Sequence, residues 1–375
     1  MSELKKNNHY TIERKGRFLI VSLNQKHLVY SSSIINGGHQ EALKFLVNHQ
    51  SCEGAKHIDR AHILTDCGHE EYHRQTCSEA GTEPNLTAMM GTAADMQYVA
   101  IDEQTYKDIS ACAIVTAGVT GNACRAGEET LWHEVDSGWE KCYEGTINII
   151  VLINVPLLPA TLCQAITTIT EAKSAALLDL AIPSKKGRGL ATGTGTDQFC
   201  VASIIDDQLK PKSGAGKHVK LGEIIAKAVI NATKKAMQFQ NGLEPSLTRS
   251  FHHALGRFGL TEDYFKEQSK NFLSENDYDL LLNNMKSVVY SPGLSSACYA
   301  LASILDRIDN GVYPPEMMQD NVVNQCALIA TTLSTKDSYF QKFKNDIHQK
   351  SETLQKMETV VFSICLGWSH KWNSP

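Results

Sequence analysis

Apolar residues in the first two thirds of the chain alternate between β-type runs and helical stripes. Residues 17–23 and 27–33 are rich in β-branched and aromatic side chains, and the polar residues 24–26 between them predict a hairpin turn. Further strands are predicted at 97–101, 112–118, 146–153 and 199–205. The run at 146–153 is almost continuously apolar, which is typical of a central strand buried on both faces.

Two long helices are predicted from apolar stripes at helical spacing. The first begins after Pro159, because Leu162, Ile166 and Ile169 recur at intervals of three and four residues. The second covers about 221–237, where small and branched apolar residues repeat in the same way.

Weaker signals lie between residues 37 and 88. A short helix is predicted after the glycine pair at 37–38, and the polar stretch 51–88 is predicted to be mostly loop. Four residues of that stretch have a spacing that could bind zinc, and they are Cys67, His69, His73 and Cys77. The segment has no strong helical period and no matching second pair, so no metal site is predicted and scattered surface residues are the favoured interpretation.

The pattern changes at 241–246, where NGLEPS is a break-and-restart signal with Pro245 suited to a first helical turn. No β-rich run follows, and helices are predicted at 247–256, 262–288, 294–309, 316–334 and 337–370. We therefore predict an α/β fold, a mixed α+β sheet core with flanking helices, over residues 1–242. An all-helical C-terminal extension over 243–375 is a candidate interaction region that would make the protein a homo-oligomer.

The composition and net charge of the chain argue against some classes of binding partner. The chain has 375 residues, of which 42% are hydrophobic and 21% charged, and its net charge is -5. This is an ordinary globular composition, and a mildly acidic chain has no electrostatic reason to bind nucleic acid or an anionic membrane. The polar N-terminus lacks the apolar segment of a secretory signal, and none of the 11 cysteines forms a Cys-x-x-Cys pair. We therefore expect a cytoplasmic protein with free thiols.

Glycine-containing loops beside the predicted strands are candidate ligand sites, because glycine permits close backbone approach. They are NGG at 36–38, MMGTAADM at 89–96 and TAGVTGN at 116–122. Each has a plainer interpretation as a turn, and Asp95 is either a catalytic carboxylate or a helix cap. The predicted substrate-binding residues of these loops are Asn36, Gly37, Gly38, Gly91, Thr92, Gly118 and Asn122.

Two elements carry polar side chains where apolar ones are expected. In GTINI, Thr146 and Asn148 share one face of a buried strand, and buried polar groups need partners, of which a ligand is one candidate. In the first long helix, Lys173 falls on the inward stripe four residues after Ile169. The lysine either binds a substrate oxygen or pairs with an acid, unless it extends to the surface along its own stem.

The loop TGTGTD at 192–197 ends in an acid directly before a strand. It lacks the GK[ST] sequence and the following helix of a phosphate-binding Walker loop, so it suits recognition of hydroxyl or amide groups, with Asp197 as a candidate general base. The loop residues predicted to contact substrate are Gly193, Thr194 and Thr196. His218 lies near the start of the second long helix, where the dipole favours a neutral imidazole, or it is a surface histidine.

Taken in order along the chain, these motifs resemble the adenosylcobinamide amidohydrolase family over roughly residues 30–240, and GTINI, EAK at 171–173 and GTGTD are the most distinctive parts. The resemblance implies hydrolysis of the amide that joins the aminopropanol arm to the corrin ring, giving adenosylcobyric acid and aminopropanol for corrinoid salvage. It also implies that no organic cofactor is needed, since the corrinoid is the substrate; a divalent metal is left open.

Amide hydrolysis requires an activated water or nucleophile, an oxyanion stabiliser and an acid for the leaving amine. Asp197 or Asp95 would activate water, Lys173 and nearby backbone amides would stabilise the oxyanion, and the NGG and TAGVTGN loops would line the corrin face. His218 or Glu171 would protonate the amine, and a threonine of the GTGTD loop as covalent nucleophile is an alternative. The rival functions are a corrinoid-binding module without catalysis and an amidohydrolase of another small amide.

Overall fold

The structure, a computed structural model, describes residues 2–51, 58–129 and 146–372. The chain divides into two compact units, the first formed by 1–186 with 190–243 and the second by 187–189 with 244–375. Within the described residues the first unit contains the sheets and the second contains helices, so the predicted fold class of an α/β part followed by an all-helical region is confirmed. The assignment of the activity to residues 1–242 alone stays a prediction.

Thirteen strands are formed by the described residues. In chain order they are β1 Ser2–Lys6, β2 Tyr10–Lys15, β3 Phe18–Leu23, β4 His27–Ser31, β5 Gly38–Gln40, β6 Phe45–Gln50, β7 Thr87–Thr92, β8 Ala100–Tyr106, β9 Ile109–Ala117, β10 Ala123–Cys124, β11 Ile147–Ile153, β12 Gly193–Thr194 and β13 Gln198–Ile204.

The strands form two large sheets and one short ribbon. The first sheet has the order β1-β2-β3-β6-β7, the second has the order β5-β4-β13-β11-β9-β8, and β10 pairs with β12. In the second sheet β11 and β13 are parallel, whereas their outer neighbours β9 and β4 are antiparallel to them. We call the edge at which β11 and β13 begin the start edge; β4 and β9 end there and β8 begins there.

The two sheets pack face to face and helices cover their outer faces. The apolar core between the sheets includes Leu19 and Leu46 from the first sheet and Ile150 and Leu152 from the second. Side chains alternate along each strand, so the odd-numbered residues of β11 face the helices instead. The layers are therefore helix, sheet, sheet and helices.

Helices α1 Ile58–Ala80, α2 Pro159–Asp179 and α3 Lys220–Asn241 belong to the first unit. The two long helices were predicted at these places because their apolar stripes are regular. In α2, Pro159 occupies the first turn, where its missing N–H costs no hydrogen bond. In α3, Gly242 ends the helix in a left-handed conformation that a glycine adopts without strain.

The second unit has its own apolar core and consists of short and medium helices. They are α4 Pro245–Thr248, α5 Phe251–Leu255, α6 Glu262–Ser269, α7 Glu275–Asn283, α8 Met285–Val289, α9 Pro292–Asp309, α10 Met318–Ser334, α11 Phe340–Ser351 and α12 Lys356–Lys371. Among the helices of the described residues, none has both the length and the apolar character needed to cross a membrane.

The predicted hairpin between residues 17–23 and 27–33 is wrong. The two strands exist as β3 and β4, but β3 pairs with β2 and β6, whereas β4 pairs with β13 and β5. The polar residues 24–26 therefore pass from one sheet to the other. β3 forms a hairpin with β2 before it, whereas β4 pairs with the distant β13, so a turn signal between two strands does not by itself decide that they pair.

Two further predictions between residues 37 and 88 are wrong. In place of the predicted short helix after the glycine pair, the chain forms β5, a bend and β6, and Leu46 of β6 is buried between the sheets. The described residues of the predicted loop at 51–88 contain the helix α1 and the first two residues of β7. A kink at Gly68, with φ of 75°, interrupts α1. The helical spacing of apolar residues is therefore not continuous along this segment, and the sequence pattern does not predict the helix.

Candidate active site

Asp197 lies between β12 and β13 at the start edge, and both of its carboxylate oxygens accept hydrogen bonds. Oδ2 accepts from the Lys173 ammonium at 2.5 Å, and Oδ1 accepts from the Ile147 N–H at 3.1 Å. The Thr194 hydroxyl donates to Oδ1 at 2.5 Å, and the Thr194 N–H lies 3.1 and 3.2 Å from the two oxygens. The carboxylate therefore joins the start of β11 to α2 and to its own loop.

Lys173 reaches this carboxylate from α2, on the inward stripe where the sequence pattern placed it. The residue is only 9% exposed, and its partner Asp197 is also largely enclosed. Gly193 makes the approach possible, because a Cβ at this position would lie 2.6 Å from Lys173 Nζ and closer still to Asp197 Oδ2. The small residue in the GTGTD loop is thus required by the ion pair.

Two threonine hydroxyls lie next to the ion pair at the start edge. Thr146 Oγ1 contacts Thr196 Oγ1 and also donates to the Thr196 carbonyl oxygen at 3.3 Å. Thr146 is buried and Thr196 is exposed, so the pair connects the strand interior with the surface. Hydroxyl, carboxylate and ammonium groups therefore meet within one small region.

A second polar group lies on the other side of β11, between the two sheets. The Asn148 side chain donates to Asn48 Oδ1 at 2.8 Å and to the Gly91 carbonyl at 3.0 Å, and Asn48 donates to Thr116 Oγ1 at 2.7 Å. Asn148 Oδ1 is buried and has no hydrogen-bond partner among the described residues. Asn48 was missed by sequence reasoning, because β6 was interpreted as a helix and the inward position of residue 48 was not recognised.

The outer edge of β7 is satisfied by side chains instead of by another strand. Gln198 accepts from the Gly91 N–H at 3.0 Å, Ser33 Oγ accepts from the Met89 N–H at 2.9 Å, and Asn36 donates to the Thr87 carbonyl at 2.8 Å. Unpaired strand edges need such partners. Some of the polar side chains that suggested a ligand site therefore form hydrogen bonds with the backbone of β7.

The NGG loop has a clear structural role at the end of β7 opposite Gly91. Asn36 has a positive φ of 55° and also donates to the Pro84 carbonyl at 2.8 Å. A Cβ on Gly37 would collide with the Ser33 carbonyl oxygen, and Gly38 has a φ of 69°. The NGG loop therefore forms a turn, as the plainer interpretation of its sequence predicted. Contact of these residues with substrate stays a prediction.

The MGTAAD segment leaves β7 at the start edge. Thr92 Oγ1 accepts from the Ala94 N–H at 3.0 Å, and Asp95 caps a single 3₁₀ turn, Met96–Tyr98, by accepting from the Gln97 N–H at 2.7 Å. The cap interpretation of Asp95 is therefore confirmed for this single turn. The other carboxylate oxygen of Asp95 accepts no hydrogen bond from the described residues.

The TAGVTGN loop lies between the MGTAAD segment and the GTGTD loop. Gly118 donates to the Thr146 carbonyl at 3.0 Å, and a Cβ on Gly118 would be 4.0 Å from the Ala94 methyl. After the half-buried Asn122 the chain forms β10, in which Cys124 pairs with Gly193 of β12. Burial raises the pKa of the Cys124 thiol, which also interacts electrostatically with the nearby charged residues.

The amino-acid sequence matches a known protein family. The model of the adenosylcobinamide amidohydrolase family matches residues 2–245, which include every residue of the start edge described above. The chain belongs to the adenosylcobinamide amidohydrolase family. Residues 246–375 lie outside the matched region.

Two known proteins are similar to this chain in sequence. Over 251 residues the chain is 31% identical to an uncharacterized protein of Methanocaldococcus jannaschii, and this covers 63% of the chain and 93% of the relative. Over 180 residues it is 31% identical to an adenosylcobinamide amidohydrolase of Methanosarcina mazei, covering 46% of the chain and 76% of that protein.

Glu171 and His218 of this amidohydrolase family member lie apart from the Lys173–Asp197 pair. Two residues along a helix correspond to a rotation of about 200°, so Glu171 points away from Lys173. Glu171 forms an ion pair with Lys217 at 2.7 Å on an exposed surface. A surface cleft of about 670 Å³ is lined by Gln164, Thr167, Thr168, Glu171, Gly216, Lys217 and His218. Within the described part of the chain, no hydrogen bond or ion pair joins this cleft to the start edge.

The cysteine and histidine cluster of α1 does not form a metal centre in the described residues. His73 Nε2 lies 3.0 Å from the Pro84 carbonyl oxygen and 3.5 Å from Cys77 Sγ, while Cys67 is exposed. No group of three or more histidine, cysteine or acidic residues in the described ranges is arranged to hold a metal ion. His73 therefore ties α1 to the segment before β7.

Proposed function

We propose that the protein hydrolyses the amide that joins the aminopropanol arm to the corrin ring of adenosylcobinamide. Water adds across the C–N bond, so that the hydroxyl forms a carboxyl group on adenosylcobyric acid and the proton goes to the amine of aminopropanol. The observation that carries the proposal is the family match over residues 2–245, which includes the polar start edge. The products would re-enter corrinoid salvage and remodelling in the cytoplasm.

Lys173 is the proposed electrophilic group for the substrate carbonyl. A lysine ammonium has three N–H donors, and Asp197 is the one acceptor that it contacts among the described residues. The remaining donors can hold the oxygen on which negative charge develops when water attacks. Such a charged donor in a water-poor site stabilises the transition state more than the ground state.

Asp197 is proposed to position Lys173 instead of activating water. Both of its oxygens already accept from Lys173, Thr194 and Ile147. A carboxylate held in this way has no oxygen left for a water proton, but it fixes the direction of the lysine. This role differs from the general-base role considered first for Asp197.

Asp95 is the proposed acceptor for the proton of the attacking water. One of its oxygens caps the 3₁₀ turn, whereas the other accepts nothing from the described residues. The preceding residue, Ala94, lies beside Gly118, whose N–H bonds to the Thr146 carbonyl at the start edge. The proposal therefore separates two acids by role, with Asp197 as a positioning group and Asp95 as a base.

The test is to incubate the purified full chain with adenosylcobinamide and to detect adenosylcobyric acid and aminopropanol by mass. No organic cofactor is added, and parallel reactions contain a chelator or a divalent metal. We expect product in the absence of any cofactor. Binding without product would favour the corrinoid-binding module, and turnover of simple amides without corrinoid binding would favour the amidohydrolase of another amide.

A further inference from the structure

Two exposed aromatic side chains flank the start edge on the side of β8. Tyr98 is 42% exposed in the 3₁₀ turn directly before β8, and Phe239 is 45% exposed near the end of α3. Neither ring is required by the apolar core of the first unit. Both rings are open to solvent beside the polar residues of the start edge, where a bound ligand can cover them.

Phe239 continues the buried stripe of α3 beyond the sheet. Ala232 and Ala236 face the sheet, and Phe239 follows at the helical interval of three, so it points to the same side of the helix. Ala232 and Ala236 are fully buried, whereas Phe239 on the same side of the helix is exposed. One exposed side chain, Lys235, approaches the ring, with Nζ 5.7 Å from the centroid, near the limit of a cation–π contact.

The segments that carry the two rings are tied together at the start edge. Gln240, next to Phe239, accepts from the Asp95 N–H at 3.0 Å, and Asp95 caps the turn that contains Tyr98. Asn241 also accepts from the Val119 N–H at 3.3 Å. Tyr98 and Phe239 therefore belong to chain segments that are held together on the same side of the edge, next to the MGTAAD and TAGVTGN loops.

Small residues lie between the segments that carry these rings and the start of β11. Ala94 is buried, and a Cβ on Gly118 would lie 4.0 Å from its methyl group, so no large side chain stands between the MGTAAD and TAGVTGN loops at this point. Two strand spacings separate β8 from β11, which is about 10 Å. A ligand that contacts the rings and also reaches Thr146 and Lys173 must therefore span about 10 Å.

We propose that Tyr98 and Phe239 form the platform on which the substrate macrocycle lies while its amide reaches Lys173. This inference rests on the proposed function, since a corrinoid has a broad, largely apolar ring and carries its amide on a side arm. Aromatic rings are suited to cover such a face, because they contribute apolar area in a fixed geometry. The two rings would determine affinity for the macrocycle and leave the chemical step unchanged.

The test is steady-state kinetics of the full chain on adenosylcobinamide, together with direct binding of the unreacted corrinoid by absorbance titration. Tyr98→Ala and Phe239→Ala are each expected to raise KM and the dissociation constant about tenfold, with kcat within about twofold. Tyr98→Phe keeps the ring and should behave as the unmodified chain. Circular dichroism checks that each variant is folded.

Tyr106→Ala is the matched control, because Tyr106 is 38% exposed and ends β8 at the opposite edge of the sheet, whereas Tyr98 precedes β8. It should leave both constants unchanged. If the unmodified chain turns over adenosylcobinamide and the Tyr98 and Phe239 variants match the Tyr106 variant, the platform is refuted while the proposed function stands. If the unmodified chain neither binds nor cleaves adenosylcobinamide, both the proposed function and the platform are refuted.

Discussion

At the scale of single residues, the Lys173–Asp197 pair depends on a position that has no side chain. Gly193 sits where a Cβ would touch both partners, although its own backbone conformation is one that other residues adopt. Gly195, two residues later in the same loop, has open space around its Cβ position. Gly193 is therefore required because a larger residue does not fit, whereas Gly195 is not required for this reason.

Gly193→Ala is expected to lower kcat about 100-fold, because displacing a positioned catalytic group by about 1 Å has an effect of this size. The free energy of unfolding should fall by about 1–3 kcal/mol through overpacking. Activity assays and urea denaturation measure the two effects. Gly195→Ala is the control and should change neither quantity; equal effects of the two substitutions would contradict the steric account.

Cys200 makes the stability of the protein depend on alkaline pH. Burial raises the pKa of this thiol from about 9 to about 12, and Ser31 contacts its sulfur. The folded state therefore favours the neutral thiol, and this stabilisation is complete below about pH 9 and is lost as the pH rises toward 12. Cys200→Ala should lose less unfolding free energy between about pH 8 and pH 10.5 than the unmodified chain.

Urea denaturation at the two pH values measures this difference. Cys163→Ala removes an exposed thiol and should keep the pH dependence of the unmodified chain. If Cys200→Ala and Cys163→Ala lose the same free energy, buried Cys200 is not a source of the alkaline instability.

At the scale of elements, regular stripes predict α2 and α3, and the continuous apolar run predicts β11. Lys173 could be placed correctly from sequence because it falls on the α2 stripe after Ile169. Strand partners could not be predicted, since β3 and β4 follow each other in sequence and join different sheets. The partner of Lys173 was likewise uncertain, because its distance to Asp197 depends on how α2 packs against the β12–β13 turn.

Asn48 is a tie between the two sheets that only the structure reveals. Asn48→Leu removes the acceptor for Asn148 and the donor to Thr116, leaving buried polar groups without partners. Such a loss is expected to reduce the free energy of unfolding by about 1–3 kcal/mol. Chemical denaturation measures it, with Asn231→Leu on the exposed side of α3 as the control. A loss no larger than that of the control would show that the polar tie does not stabilise the sheet packing.

At the scale of the whole molecule, the two compact units have separate apolar cores. The cores of the first unit consist of residues before 238, and the core of the second unit begins at Phe251. The family match ends at residue 245, close to the boundary at 243. The sequence predicts this boundary, because β-rich runs end before NGLEPS and only helical patterns follow it. No comparable pattern in the sequence indicates that residues 187–189 belong to the second unit.

A chain that ends at residue 245 is expected to keep hydrolytic activity on adenosylcobinamide, with kcat/KM within about tenfold of the full chain. The physical reason is that the start edge and both cores that support it are formed by residues before 245. Kinetics and gel filtration of the two chains measure activity and oligomeric state. Loss of activity with retained circular dichroism would show that the helical unit takes part in the reaction.

The most direct test of hydrolysis at the start edge compares the unmodified chain with Lys173→Met in water labelled with heavy oxygen. The unmodified chain should give adenosylcobyric acid with one heavy oxygen in the new carboxyl group. Lys173→Met should form the same product about 100- to 1,000-fold more slowly, because a charged oxyanion donor is lost. An equal rate for the two proteins, or no labelled acid from the unmodified chain, would contradict the account.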